Sequence, residues 1–113
     1  MRINGTDIFM TRGDSETFEF MLEDHETGQQ IDLIPGDLVY FTVKASTQTT
    51  SKLIDYVIDE FDNGKAIIEI KPEDTKDLKY HTYVYDVQIV QGDNVSTVIK
   101  PSKFVVEEEV TYE

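Results

Sequence analysis

Pro72-Glu-Asp-Thr-Lys-Asp-Leu-Lys-Tyr-His-Thr-Tyr-Val-Tyr-Asp-Val-Gln-Ile-Val90 decides the fold. A proline-led polar turn holds one apolar residue, Leu78, and then runs into a long aromatic strand. Side chains alternate along a strand, so Tyr83, Tyr85, Val87 and Ile89 share one face. In immunoglobulin-like sandwiches a tyrosine near the start of the penultimate long strand hydrogen-bonds back across a corner. This stretch fits that pattern, with Leu78 plugging the corner and either Tyr83 or Tyr85 closing it.

Upstream, Asp62-Asn63-Gly64-Lys65 is a hairpin turn, because Asn-Gly suits the positive φ that a type I′ turn needs at both central positions. Strands 53–61 and 66–71 flank it, with Ala66, Ile68 and Ile70 inward and the opposite charges of Asp62 and Lys65 facing each other. A strand over Leu38–Lys44 points Val39, Phe41 and Val43 inward. Alternation in Thr17–Glu23 places Phe18, Phe20 and Leu22 on one face, and Gln29–Leu33 resumes extended chain after the turn Asp24–Gly28. Asp7–Thr11 forms the first strand, closed by the turn Arg12-Gly13-Asp14. Downstream, Gly92-Asp93-Asn94 turns the chain into Val95–Lys100, Pro101-Ser102 interrupts it, and Lys103–Val106 continues. The small polar segment 45–52 reads as a mobile loop and a plausible contact site. About seven to nine short strands, with a turn roughly every eight to twelve residues, predict an all-β antiparallel sandwich of immunoglobulin-like type.

The 113 residues suit one domain, with a core over 7–106 and an acidic tail over 107–113. The chain has no cysteine, which excludes disulfides and thiolate chemistry. The N-terminus lacks a signal-like apolar stretch, and the longest apolar runs are far short of a membrane span. Net charge is −13, from 23 acidic against 10 basic residues. Such a surface repels polyanions, so neither nucleic-acid binding nor attachment to anionic membrane is expected.

No constellation of residues carries an evident chemistry. His25 reads as a loop residue and His81 as an outward strand residue, neither near metal-like neighbours. Asp59-Glu60-Phe61-Asp62-Asn63-Gly64 fails as a calcium loop, because position three would be Phe61 and position twelve Ile70. The six glycines are dispersed at turns rather than gathered into a phosphate loop. Six tyrosines without tryptophan, alternating in strands, read as core and cross-strand pairs rather than as a stacking platform. Arg12-Gly13-Asp14 matches the integrin-recognition tripeptide, but a match of three residues is read as a turn. The expectation is therefore a non-enzyme with no catalytic, metal or cofactor residue.

One order of motifs narrows the role. Arg12-Gly13-Asp14-Ser15 leads into Phe18-Glu19-Phe20, followed by Gly28 with Ile31-Asp32-Leu33 and by Val39-x-Phe41-Thr42-Val43-Lys44. Ile70-Lys71-Pro72-Glu73-Asp74-Thr75 with Leu78, then Tyr83–Gln88 and Ser96–Ile99, complete it. In this order the chain resembles small β-sandwich proteins of tailed phages and prophages of Gram-positive bacteria, above all the N-terminal immunoglobulin-like domains of baseplate upper proteins. The resemblance covers about residues 12–106 and rests on order, since each motif alone is a turn plus a strand. It implies a structural protein that docks onto other virion or tail proteins and can form homo-oligomers, located in the virion or the bacterial cytoplasm. The larger baseplate proteins continue into a stalk or receptor-binding portion, whereas this sequence stops at Glu113, which implies a stand-alone accessory piece. Two other readings are an acidic DNA mimic that inhibits a host DNA-processing enzyme, resting on the charge alone, and a carbohydrate-binding module.

Overall fold

Strands dominate the computed structural model, which describes residues 1–110. They are β1 (Arg2–Asn4), β2 (Asp7–Thr11), β3 (Glu16–Phe20), β4 (Leu22–Glu23), β5 (Gln30–Ile31), β6 (Leu38–Lys44), β7 (Ile54–Ile58), β8 (Ala66–Ile70), β9 (His81–Gln91) and β10 (Asn94–Glu107). One helical turn, α1 (Pro72–Thr75), joins β8 to β9. The strands exceed the expected seven to nine because β1 pairs back on β2 through Gly5, whose φ of +62° makes a tight turn. The alternating run over residues 17–23 also breaks at Met21 into β3 and β4. Of the acidic tail expected over 107–113, Glu107 still belongs to β10, and residues 111–113 lie outside the described residues.

A six-stranded sheet in the order β1-β2-β10-β9-β6-β7 faces the two-stranded sheet β3-β8, while β4-β5 forms a small flap. Pairing is antiparallel throughout except between β10 and β2, which run parallel. This is an all-β sandwich. Its core lies between the two main sheets. Val39, Phe41 and Val43 from β6 meet Ala66, Ile68 and Ile70 from β8, all fully buried. Tyr83, Tyr85, Val87 and Ile89 of β9 join the inner face of the large sheet, as alternation predicts, beside Ile8 and Met10 of β2, Ile54 of β7 and Phe104 and Val106 of β10. Phe41 sits at the centre, with ring centroids 5.6 Å from Phe18 across the sandwich, 5.4 Å from Tyr85 and 6.4 Å from Phe104.

The Asn63-Gly64 turn has positive φ at both positions, 53° and 76°, and Asp62 and Lys65 exchange two backbone hydrogen bonds. Their side chains do not pair, however. The Lys65 ammonium lies 3.4 Å from Glu19, because alternation in the β3-β8 ladder brings that carboxylate within reach. Gly64 is held by contact as well as by φ: a Cβ there would stand 2.5 Å from Asp32 Oδ1. Pro101-Ser102 does not interrupt the last strand. β10 runs through it, and the mismatch is absorbed as register shifts against β9 between Thr97 and Ser102. A bulge tolerates proline because no ladder N–H is needed there.

The corner closes with Tyr83, whose hydroxyl donates to the Lys79 carbonyl at 2.8 Å. Tyr85 has another task. Its hydroxyl donates to the Thr6 carbonyl, and burial, with the Asp7 carboxylate nearby, pushes that hydroxyl up to about 12. Leu78 is only half-buried, and the residue sealed in the corner is Thr75. Pro72 starts the helical turn with φ already set, and the Asp74 carboxylate accepts the Lys71 N–H at 2.8 Å. That carboxylate also accepts from the Tyr56 hydroxyl at 2.5 Å, and burial together with this bond raises the Tyr56 phenol well above its usual range. The turn is thereby tied to β7.

Candidate interaction face

Residues facing away from the core on the large sheet follow from the register. Leu38 on β6 stands beside Val90 on β9, which stands beside Val95 on β10. In the next row Val57 on β7, Tyr40, Gln88 and Thr97 lie abreast. Then come Asp55, Thr42 and Asp86. The last row is Lys44, Val84 and Lys103. Half-solvated sheets ordinarily alternate apolar inside with polar outside. Here Leu38, Tyr40, Val57, Val84, Val90 and Val95 are outward, and Val57 and Val95 are 49% and 64% exposed.

Part of this face is concave. A groove of about 500 Å³ has Tyr40, Thr42, Val84, Asp86, Gln88 and Val90 along it. One wall is the 45–52 loop, which contributes Thr47 and Lys52 and is anchored by the Leu53 N–H bond to the Val43 carbonyl at 2.8 Å. The other is the β10 bulge, which contributes Pro101. Towards β1 the face is closed off. There the Arg2 guanidinium lies 4.3 Å over the Phe9 ring and 3.6 Å from Glu107.

Opposite ends of the chain meet in a second cluster. The Arg12 guanidinium makes two bonds to Glu109, at 2.9 and 2.8 Å, and one to the Leu78 carbonyl at 3.2 Å. It also lies 4.2 Å over the Tyr80 ring, and the Tyr80 hydroxyl donates to Glu109 at 2.5 Å. The Arg12 and Tyr80 bonds hold the Glu109 carboxyl below its ordinary value. Accepting from Tyr80 raises that phenol in turn. The Gly13 N–H donates to the Thr75 hydroxyl at 2.8 Å. Arg12-Gly13-Asp14 is thus a turn, as its chemistry predicts, with the arginine turned onto the corner.

The remaining candidates stay apart. His25 lies exposed in a turn whose Asp24 carboxylate accepts the Glu26 and Thr27 N–H groups at 2.9 Å each, which lowers the Asp24 carboxyl. His81 stacks edge-on against Tyr83 at 5.2 Å. Among the described residues no group of three or more histidine, aspartate or glutamate side chains is placed to hold a metal ion. Among them, too, no helix is long and apolar enough to cross a membrane. The outward face escaped the sequence reading because its rows join residues far apart in the chain. A usable signal was present: residues 38–53 and 94–106 contain no acidic residue in a strongly acidic chain.

Fold and face together define an all-β sandwich with an open, partly apolar outward sheet. Neither a family model nor a curated protein matches the sequence.

Proposed function

We propose that the chain is a non-enzymatic structural protein of a phage or prophage tail or baseplate, acting through protein–protein contact. The observation that carries the contact role is the outward face of β6, β7, β9 and β10, where six apolar or aromatic residues stand where a solvated sheet places polar ones. Its four strands span roughly 19 Å, and the seven residues of β6 run roughly 23 Å, a footprint at the low end of protein interfaces. The assignment to a tail or baseplate is supported by the order of motifs over residues 12–106, which the sandwich arranges as successive strands and turns.

The test is mass spectrometry of phage particles induced from a strain carrying the gene and banded in a density gradient. The chain should copurify with intact particles in constant proportion to the major tail protein. Absence from the particles overturns the tail assignment. A turnover activity abolished by a single carboxylate substitution overturns the non-enzymatic reading. Salt-sensitive capture of a DNA-processing enzyme would turn the reading towards the acidic mimic.

A further inference from the structure

Charge is unevenly divided over this molecule. Residues 38–53 and 94–106 carry Lys44, Lys52, Lys100 and Lys103 and no carboxylate, so the net −13 divides into +4 on these two segments and −17 on the rest. Both segments border the groove. Lys44 and Lys52 line it, and Lys103 stands abreast of Val84, as Lys44 does on the other side. Of the nearby carboxylates, Asp86 lines the groove, Asp7 accepts the Lys103 N–H at 2.9 Å, and Asp55 is already engaged by Lys52 at 3.7 Å. Among the described residues, the ammonium groups of Lys44 and Lys103 have no carboxylate within ion-pair distance. In a chain with more than two acidic residues for each basic one, that pair of lysines is conspicuous.

From this we infer that the groove binds an extended, carboxylate-bearing segment of a partner protein, with an apolar residue over Val84 and Pro101 and carboxylates on Lys44 and Lys103. The inference rests on the reading of the chain as a contact protein and names the chemistry of what it contacts. Lys44 and Lys103 are two strand spacings apart, about 9.5 Å between their backbones. Glutamates four residues apart on one face of an extended peptide are about 13 Å apart, and long lysine side chains span the difference. Between them the central side chain faces the same way, onto Val84. A nucleic acid offers the same negative charge but brings an extended phosphate array towards the acidic remainder of the chain. A short peptide meets Lys44, Lys52 and the neighbouring Lys103, with Asp86 in the groove and Asp7 beside the Lys103 backbone as the nearby carboxylates, since charges beyond about 8 Å are screened at physiological salt.

The test is a titration of the isotope-labelled protein with the blocked pentapeptide Glu-Ser-Val-Ser-Glu, followed by amide NMR shifts. Its controls are Lys-Ser-Val-Ser-Lys and an oligothymidylate of five nucleotides. Shifts should map to Lys44, Val84, Lys103 and their neighbours with the acidic peptide and should be absent with the basic one. Joint replacement by Lys44→Glu and Lys103→Glu should weaken binding by about tenfold or more, as for reversal of two close charge pairs. Lys44→Gln with Lys103→Gln should weaken it less, with the rest of the spectrum unchanged in both variants. No groove shifts at millimolar acidic peptide, equal shifts with the basic peptide, or displacement of the peptide by the oligothymidylate would each overturn the inference. A chain found in particles whose groove ignores the peptide refutes this inference alone, whereas a groove that binds in a chain absent from particles refutes the tail assignment alone.

Discussion

Thr75 offers the sharpest test of how the corner is held. It is fully buried in a single helical turn, and its hydroxyl accepts the Gly13 N–H at 2.8 Å across 62 residues of sequence. Thr75→Val keeps the shape and removes the acceptor, leaving a half-buried backbone N–H without its partner. An unsatisfied buried donor costs about 1–3 kcal/mol, and partial access of water to Gly13 places the expected loss in the lower half, about 1–2 kcal/mol. For 113 residues the unfolding entropy is roughly 0.24 kcal/mol/K, so the melting temperature should fall by about 4–8 °C. Thr75→Ser keeps the acceptor and loses one methyl, about 1 kcal/mol. Thr75→Ala loses both and should be the least stable of the three. Urea unfolding with unchanged slope would report the losses directly. If Thr75→Val melts within a degree of the parent, the hydroxyl is not what fastens the Arg12-Gly13-Asp14 turn to the corner.

Four further outcomes follow from the same geometry. Tyr83→Phe should cost about 0.5–1.5 kcal/mol in chemical denaturation, because Lys79 is exposed and its carbonyl can turn to water; no measurable loss would remove Tyr83 from the corner. Gly64→Ala should cost about 2–4 kcal/mol and Gly92→Ala only about 1 kcal/mol, since both have positive φ but only Gly64 would drive a Cβ into Asp32; equal melting temperatures would refute the contact. Phe41→Ala, which opens the centre of the aromatic cluster, should cost about 3–5 kcal/mol, and a smaller loss would mean that Phe18 and Phe104 close the space. The Glu109 carboxyl is depressed, so the native clamp favours its charged form; that contribution is complete above the ordinary value of 4.5 and is lost as pH falls through the depressed one. The Arg12 guanidinium resonance should therefore hold its position at neutral pH and move only in acid below 4.5, while movement near neutrality would refute the clamp.

Alternation, read over one strand at a time, located ten of the sixteen buried apolar residues among those described; Ile8, Met10, Leu33, Ile54, Phe104 and Val106 were not singled out. Val39, Phe41, Val43, Ala66, Ile68, Ile70, Tyr83, Tyr85, Val87 and Ile89 are buried as a period of two requires. The Asn63-Gly64 turn was equally legible, because its chemistry is confined to two adjacent residues. What the sequence hid depends on which elements meet. In a single turn periodicity cannot separate an apolar residue that lies half outside, Leu78, from a polar one sealed within, Thr75, because the Thr75 partner is Gly13. Arg12 and Glu109 are 97 residues apart, so nothing local marks the arginine of a surface-like tripeptide as a clamp.

The same reasoning explains why the candidate face escaped the sequence reading, although its charge pattern lies in the sequence. Lys44 and Lys103 look like unrelated strand-end lysines until β9 aligns both with Val84. Composition by segment nevertheless separates them from the rest, since a strand that packs against solvent gains nothing from excluding carboxylates. In a chain otherwise crowded with acidic residues, two acid-free segments 40 residues apart need a shared reason, and the fold supplies one by setting them on either side of β9. Spread at random, the 23 carboxylates would place about six in 29 residues, against none observed. Part of that deficit belongs to burial, because inward strand positions exclude charge. The loop 45–52 has no such constraint: it is almost wholly exposed, yet carries serine, threonine, glutamine and Lys52 without one acid. The loop is therefore the place to perturb the face while sparing the core. Thr47→Asp with Gln48→Asp should leave the melting temperature within about 2 °C, as surface changes ordinarily do. It should also weaken binding of the acidic pentapeptide, and unchanged binding would mean that the loop is not a wall of the site.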